Sequence, residues 1–127
     1  MAQHPHSPGF LALVKDAKTR IKEITIDEYR RRAALGERMI LVDVREDHEW
    51  EKDHLPGAMH LSRGVLERDI EHMFPDKGSP LVLQCGGGFR SALAADNLLR
   101  MGYTNVCSLA GGYRGWVEAG LPLERGL

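Results

Sequence analysis

The residues best suited to chemistry lie in one short stretch, Cys85-Gly86-Gly87-Gly88-Phe89-Arg90-Ser91. An apolar run, Leu81–Gln84, leads into Cys85, and a helical pattern begins a few residues later. The backbone N–H groups of Gly86 to Arg90 therefore stand at or near a helix N-terminus. There they lack intrahelical acceptors and carry partial positive charge, which suits an anion. A thiol in that position favours its thiolate, the nucleophilic form. Arg90 adds a permanent positive charge and two parallel donors for an oxyanion. Glycines 86, 87 and 88 remove side chains that would block approach to the sulfur and permit positive φ where the loop curls. These observations point to a nucleophilic cysteine in an anion cradle. The simpler alternative is a Gly-rich strand-to-helix turn that happens to carry a buried thiol.

The rest of the chain narrows the choice. Its 127 residues suit one compact domain. A net charge of -1 with 28% charged residues gives no concentrated basic face, so neither a nucleic acid nor a membrane surface is the expected partner. No apolar stretch approaches the ~18 residues a membrane span needs, and Met1–Phe10 has no basic region ahead of an apolar core. The expected location is the cytoplasm. Two cysteines, Cys85 and Cys107, do not make a disulfide framework, and there is no Cys-x-x-Cys pair. His48, His54 and His60 are evenly spaced but cross a Pro-Gly turn and match no zinc spacing, so they are expected at the surface and in turns. No metal site is expected.

Positioning Cys85 requires a frame, and the periodicities supply one. Phe10, Val14, Ala17 and Ile21 share one face of an amphipathic helix over Phe10–Ile21. Glu23–Thr25 reads as a short edge strand. Thr25 and Glu28 have capping-box spacing, which predicts a helix from Ile26 to Gly36. Met39–Val44 and Leu81–Gln84 are apolar with little alternation, as in strands covered on both faces. Arg45–His54 reads as a loop or short turn, Ala58–Leu61 as a short strand and Val65–Met73 as a helix. Arg90–Met101 is expected to be helical, with Gly102 as its C-cap residue. Asn105–Ala110 follows as a strand, and Gly111–Gly120 has room for one turn of helix. Strands alternating with helices imply a mainly parallel sheet with helices on both faces, and ligands at the carboxyl ends of the strands. The expected division is a tail and amphipathic helix over 1–22 and a single α/β domain over 23–127. The N-terminal helix is expected to pack on its own domain, in a monomer.

Three segments resemble the single-domain rhodaneses, the thiosulfate sulfurtransferases. In Leu41–Leu61 these are Asp43, Val44, Arg45, Trp50, His54, Leu55, Pro56, Gly57 and Ala58; the others are the loop Cys85–Ser91 and the closing Gly111–Pro122 with Trp116. The resemblance runs from about Ile24 to Leu123. It implies a rhodanese-like α/β fold with a five-stranded, mainly parallel sheet. It also implies that Cys85 attacks the outer sulfur of thiosulfate, becomes a persulfide and passes the sulfur to cyanide or a thiol, with no metal or organic cofactor. Gly86, Gly87, Gly88, Phe89 and Arg90 would bind the substrate, with small-molecule sulfur donors and acceptors as the only partners.

Two features depart from the family pattern. Asp53 stands where relatives usually have Gly; if that position needs positive φ, Asp is among the better substitutes. Gly86, Gly87 and Gly88 replace polar or charged loop side chains, which leaves Arg90 as the loop's one charge and implies a wider, less selective pocket. Related folds act as phosphatases through a Cys-x5-Arg loop, whereas four residues separate Cys85 from Arg90, which favours the smaller sulfur target. A non-catalytic binding module is the other alternative; such relatives generally lack the cysteine. Asp43, Arg45 and His54 read as structural, and Cys107 as an inert core thiol. Phe89 either walls the pocket or anchors a helix start. Arg63, Arg68 and His72 either flank the pocket or form a solvated helix face.

Overall fold

Two apolar runs form the centre of the sheet because each must be covered twice. A computed structural model describes residues 6–126. Its five strands are β1 (Lys22–Ile24), β2 (Ile40–Asp43), β3 (Met59–His60), β4 (Leu81–Gln84) and β5 (Val106–Leu109), in the order β1-β5-β4-β2-β3 and parallel throughout. The helices among the described residues are α1 (Pro8–Lys18), α2 (Ile26–Ala34), α3 (Asp47–Lys52), α4 (Arg63–Met73), α5 (Phe89–Arg100) and α6 (Gly112–Glu118).

Alternate strand residues feed two cores. Val42, Leu81 and Leu83 pack with Leu66 and Ile70 of α4 and Leu98 of α5. Leu41, Val82 and Leu109 face the other way, onto Leu55 and Trp116 of α6. Each fully buried Leu, Ile or Val stabilises the fold by about 1.5–3 kcal/mol. This two-sided burial explains the near-continuous apolar strands.

Local chemistry sets the helix ends. Thr25 Oγ1 accepts the Glu28 N–H at 3.0 Å and starts α2. Only that half of the predicted capping box forms among the described residues, because the Glu28 carboxylate takes Arg31 and Arg32 instead. Those two cations lower the Glu28 pKa to about 2. Pro8 opens α1 two residues before the expected start, as suits a residue with fixed φ and no N–H to lose. The polar stretch after β2 forms the helix α3, opened by a capping box between Glu46 and Glu49. Gly111–Gly120 likewise carries seven helical residues in α6, more than the one turn expected.

α1 packs along α5 of the same chain. Val14 and Ala17 are buried there, and Arg20 grips Asp96 with Nε and Nη2 at 2.9 and 2.8 Å. No helix is long and apolar enough to cross a membrane among the described residues.

Candidate active site

Parallel topology brings the carboxyl ends of β2, β4 and β5 to one edge of the sheet. From β2 the chain turns outward to β3, whereas from β4 it turns the other way, to β5. The crevice between β2 and β4 is therefore a switch in strand order, the usual ligand position in such sheets. Arg45 leaves β2 there, Cys85 leaves β4 there, and Gly111 and Gly112 follow β5.

Cys85 is buried, with its sulfur at the floor of the loop. The Gly88 N–H points at Sγ from 3.2 Å and the Ser91 N–H from 3.3 Å. The N–H groups of Gly86, Gly87, Phe89 and Arg90 find no acceptor among the described residues, so they remain available to an incoming anion. Ser91 Oγ lies 3.4 Å from Sγ and 2.7 Å from Ser108 Oγ, both serines being fully buried. A thiol donates to Ser91; once the proton is gone, the Ser91 hydroxyl can turn to donate to sulfur while Ser108 supports it. In the sequence Ser91 stands out only as part of the loop, and Ser108 carries no expected role. The available signal was a polar residue placed inward within the apolar run of β5.

The three glycines differ. Gly88 alone has positive φ, +96°, and is the N-cap of α5. A methyl group on Gly86 would meet the Arg90 side chain at 2.9 Å, whereas one on Gly87 would make only ordinary contacts at 3.8 Å and beyond. Gly87 thus leaves open space at the mouth. The most constrained glycine lies outside the loop: a Cβ on Gly112 would run into the Cys85 carbonyl oxygen. That closeness lets Tyr113 and Arg114 donate their backbone N–H groups to the carbonyls of Cys85 and Gly86, each at 2.8 Å.

Arg90 is not a free cation. Its Nη1 and Nη2 are held by the two Glu49 carboxylate oxygens at 2.7 and 3.1 Å. The pair lowers the Glu49 pKa and raises that of Arg90, chiefly through those hydrogen bonds. A second guanidinium, Arg114 of α6, reaches the same loop: its Nη1 lies 3.8 Å from the space a Gly87 Cβ would fill. A cleft of about 620 Å³ opens beside it, bounded by Arg45, Glu49, Arg90, Tyr113 and Arg114. The sequence offered no signal for Glu49 or Arg114, which lie 36 and 29 residues from Cys85.

The remaining candidates fall where packing puts them. Asp43 and Arg45 form a buried ion pair with Nη2–Oδ2 at 2.9 Å, and Arg45 also donates to the Asp53 carbonyl at 2.7 Å. Asp53 is extended, with φ −172°, so the position needs no positive φ. Its carboxylate accepts the Tyr113 hydroxyl at 2.7 Å, an anchor that glycine would lack. His54 is not a surface residue: it is buried and stacks on Trp50 with ring centroids 3.5 Å apart. Cys107 is only partly buried, and burial raises its pKa. Phe89 does both things expected of it, opening α5 and lining the mouth over Cys85. Arg63, Arg68 and His72 line neither cavity at Cys85.

Comparison with known proteins agrees with this geometry. The family model of the rhodanese-like domain matches residues 25–119. Thiosulfate sulfurtransferase GlpE of Haemophilus influenzae is 36% identical over 85 residues, covering 67% of this chain and 79% of that one. The chain spans about half the length of another relative, YrkF of Bacillus subtilis, with 51% of that protein covered. A polysulfide-sulfur transferase homodimer from Wolinella succinogenes superposes with a TM-score of 0.75 at 28% identity, covering 93% of this chain and 88% of that one. A Rhodopseudomonas palustris protein of unknown function, described as a possible tyrosine phosphatase, gives 0.76 at 30% identity, with 98% and 100% covered. With its parallel five-stranded sheet and a cysteine loop at the strand-order switch, the chain belongs to the rhodanese-like domain family.

Proposed function

We propose that this protein is a sulfurtransferase that carries sulfane sulfur as a persulfide on Cys85. The observation that carries the reading is the pair of N–H donors, from Gly88 and Ser91, aimed at Sγ from 3.2 and 3.3 Å. They stabilise negative charge on Sγ in the thiolate, the form that attacks the donor and the form released when the acceptor takes the outer sulfur. The Cys85 thiolate attacks the outer sulfur of thiosulfate. A new S–S bond forms, the old one breaks, and sulfite leaves with the electron pair. The persulfide's outer sulfur is then attacked by cyanide, giving thiocyanate, or by an acceptor thiolate, giving a new persulfide. Either step returns the Cys85 thiolate, so no redox partner is needed. The unpaired N–H groups of Gly86, Gly87, Phe89 and Arg90 hold the donor's oxygens. A free nucleophilic thiol belongs in a reducing compartment such as the cytoplasm.

Phosphatase chemistry is the competing use of such a loop. The four residues between Cys85 and Arg90, and the engagement of Arg90 by Glu49, both leave less to ring a phosphate. The deciding experiment is intact mass spectrometry after thiosulfate treatment, with turnover of thiosulfate and cyanide measured beside para-nitrophenyl phosphate. The expected result is one added sulfur atom, absent in Cys85→Ser, together with thiocyanate formation. Phosphate release without sulfur loading would make the protein a phosphatase; no modification and no turnover would make it a binding module.

A further inference from the structure

The mouth above Cys85 has two unlike walls, one aromatic and one cationic. On one side His6, Phe10 and Phe89 form an aromatic cluster, with ring centroids 5.2 Å (His6–Phe10), 4.6 Å (His6–Phe89) and 6.1 Å (Phe10–Phe89) apart. His6 precedes α1 and Phe10 lies in its first turn, so the segment ahead of the family domain supplies two of the three rings. Opposite stands Arg114, whose side chain makes no hydrogen bond or ion pair among the described residues. Between them is a cavity of about 300 Å³ with Cys85 and Gly87 at its base. Arg90, also at its edge, is tied to Glu49.

Resting on the sulfurtransferase reading, we infer that this pocket selects an organic sulfur donor: an anionic sulfane-sulfur compound with an apolar body. The apolar body lies against Phe10 and Phe89, where ring contacts and loss of water favour it. The oxidised or acidic end meets Arg114, with the outer sulfur directed at Cys85. For a thiosulfonate the step balances without another reactant. The Cys85 thiolate bonds to the outer sulfur, the S–S bond breaks, and a sulfinate leaves with the electron pair. One charge enters with each reactant and one leaves with each product. Gly87 fits this role, because a side chain there would occupy space between Arg114 and Phe89.

Benzenethiosulfonate and methanethiosulfonate share the reacting group and differ only in the apolar body, so their kcat/KM ratio isolates the aromatic wall. The ratio expected for the intact chain favours the benzene compound by about tenfold or more, within the range one well-placed apolar group gives. Phe10→Ala should reduce that preference by about fivefold to tenfold, and Arg114→Gln should raise KM for both donors alike. A ratio near unity in the intact chain overturns the inference without recourse to any variant, as does a preference unchanged by Phe10→Ala in protein that still melts cooperatively. If neither thiosulfonate nor thiosulfate puts sulfur on Cys85, the sulfurtransferase reading itself fails. Loading by thiosulfate with no discrimination between the thiosulfonates sinks only the pocket.

Discussion

Arg90 of α5 is clamped by Glu49 of α3 through two hydrogen bonds, 2.7 and 3.1 Å long, across the crevice where the strand order switches. The cation beside Cys85 is therefore shared with a carboxylate, while the backbone N–H groups of Gly88 and Ser91 point directly at Sγ. Glu49→Gln should free Arg90 and lower KM for thiosulfate severalfold in steady-state assays; an unchanged or higher KM would show that the clamp orients Arg90 without attenuating it.

The same pair gives a pH signature. Arg90 holds the Glu49 pKa below the usual carboxylate value of about 4.3. A depressed carboxylate contributes stability that is complete above its unfolded pKa and lost as pH falls through the folded one. The difference in melting temperature between the wild type and Glu49→Gln should thus stay level above about pH 5 and shrink below about pH 4. Thermal melts across that range check it, and a difference that grows on acidification would contradict the sign.

Ser91 touches Cys85 Sγ through its N–H and, at 3.4 Å, its hydroxyl. Ser91→Ala removes only the hydroxyl, and one hydrogen bond to a charged group contributes about 1.5–3 kcal/mol. Persulfide formation should slow at least about tenfold, as read by rapid-quench mass analysis. Ser108→Ala, one step further from sulfur, should have a smaller effect in the same direction. Cys85→Ser should abolish loading altogether with little change in melting temperature.

Two glycines should respond unequally to the same change. In Gly112→Ala a methyl group meets the Cys85 backbone and sits at φ +49°, so stability should fall by about 1–3 kcal/mol and the loop should shift. In Gly87→Ala the methyl makes only ordinary contacts, so denaturation should show a change of about 0.5 kcal/mol or less. Sulfur loading should nevertheless slow, because the mouth is narrower. Equal stability losses at both positions would refute this assignment.

The buried Asp43–Arg45 pair should behave as scaffold. Removing one partner leaves a buried charge, so Arg45→Ala should cost about 3–5 kcal/mol in chemical denaturation. Asp53→Gly, by contrast, removes only the Tyr113 anchor, because the backbone there is extended, and should cost far less.

Much of this was legible in the linear sequence. Apolar runs without alternation gave β2 and β4, the Thr25 cap gave α2, and Cys85 at a strand end with glycines behind it gave the nucleophile loop. Such features are local: they depend on residues within a turn or two of one another. Segments stabilised by their surroundings were harder to read. α3 is short and depends on its capping box and on Trp50 packing with His54; α6 rests on Trp116 and on glycines that admit it against the Cys85 loop. The site divides in the same way. Sequence alone singled out Cys85 as the candidate nucleophile and placed backbone N–H groups around it. Only the tertiary structure decided that Glu49 engages Arg90, that Arg114 reaches the same loop, and that His6 and Phe10 wall the mouth. Those partners come from separate elements joined by the sheet's strand order, and contacts across such distances leave no mark in local spacing.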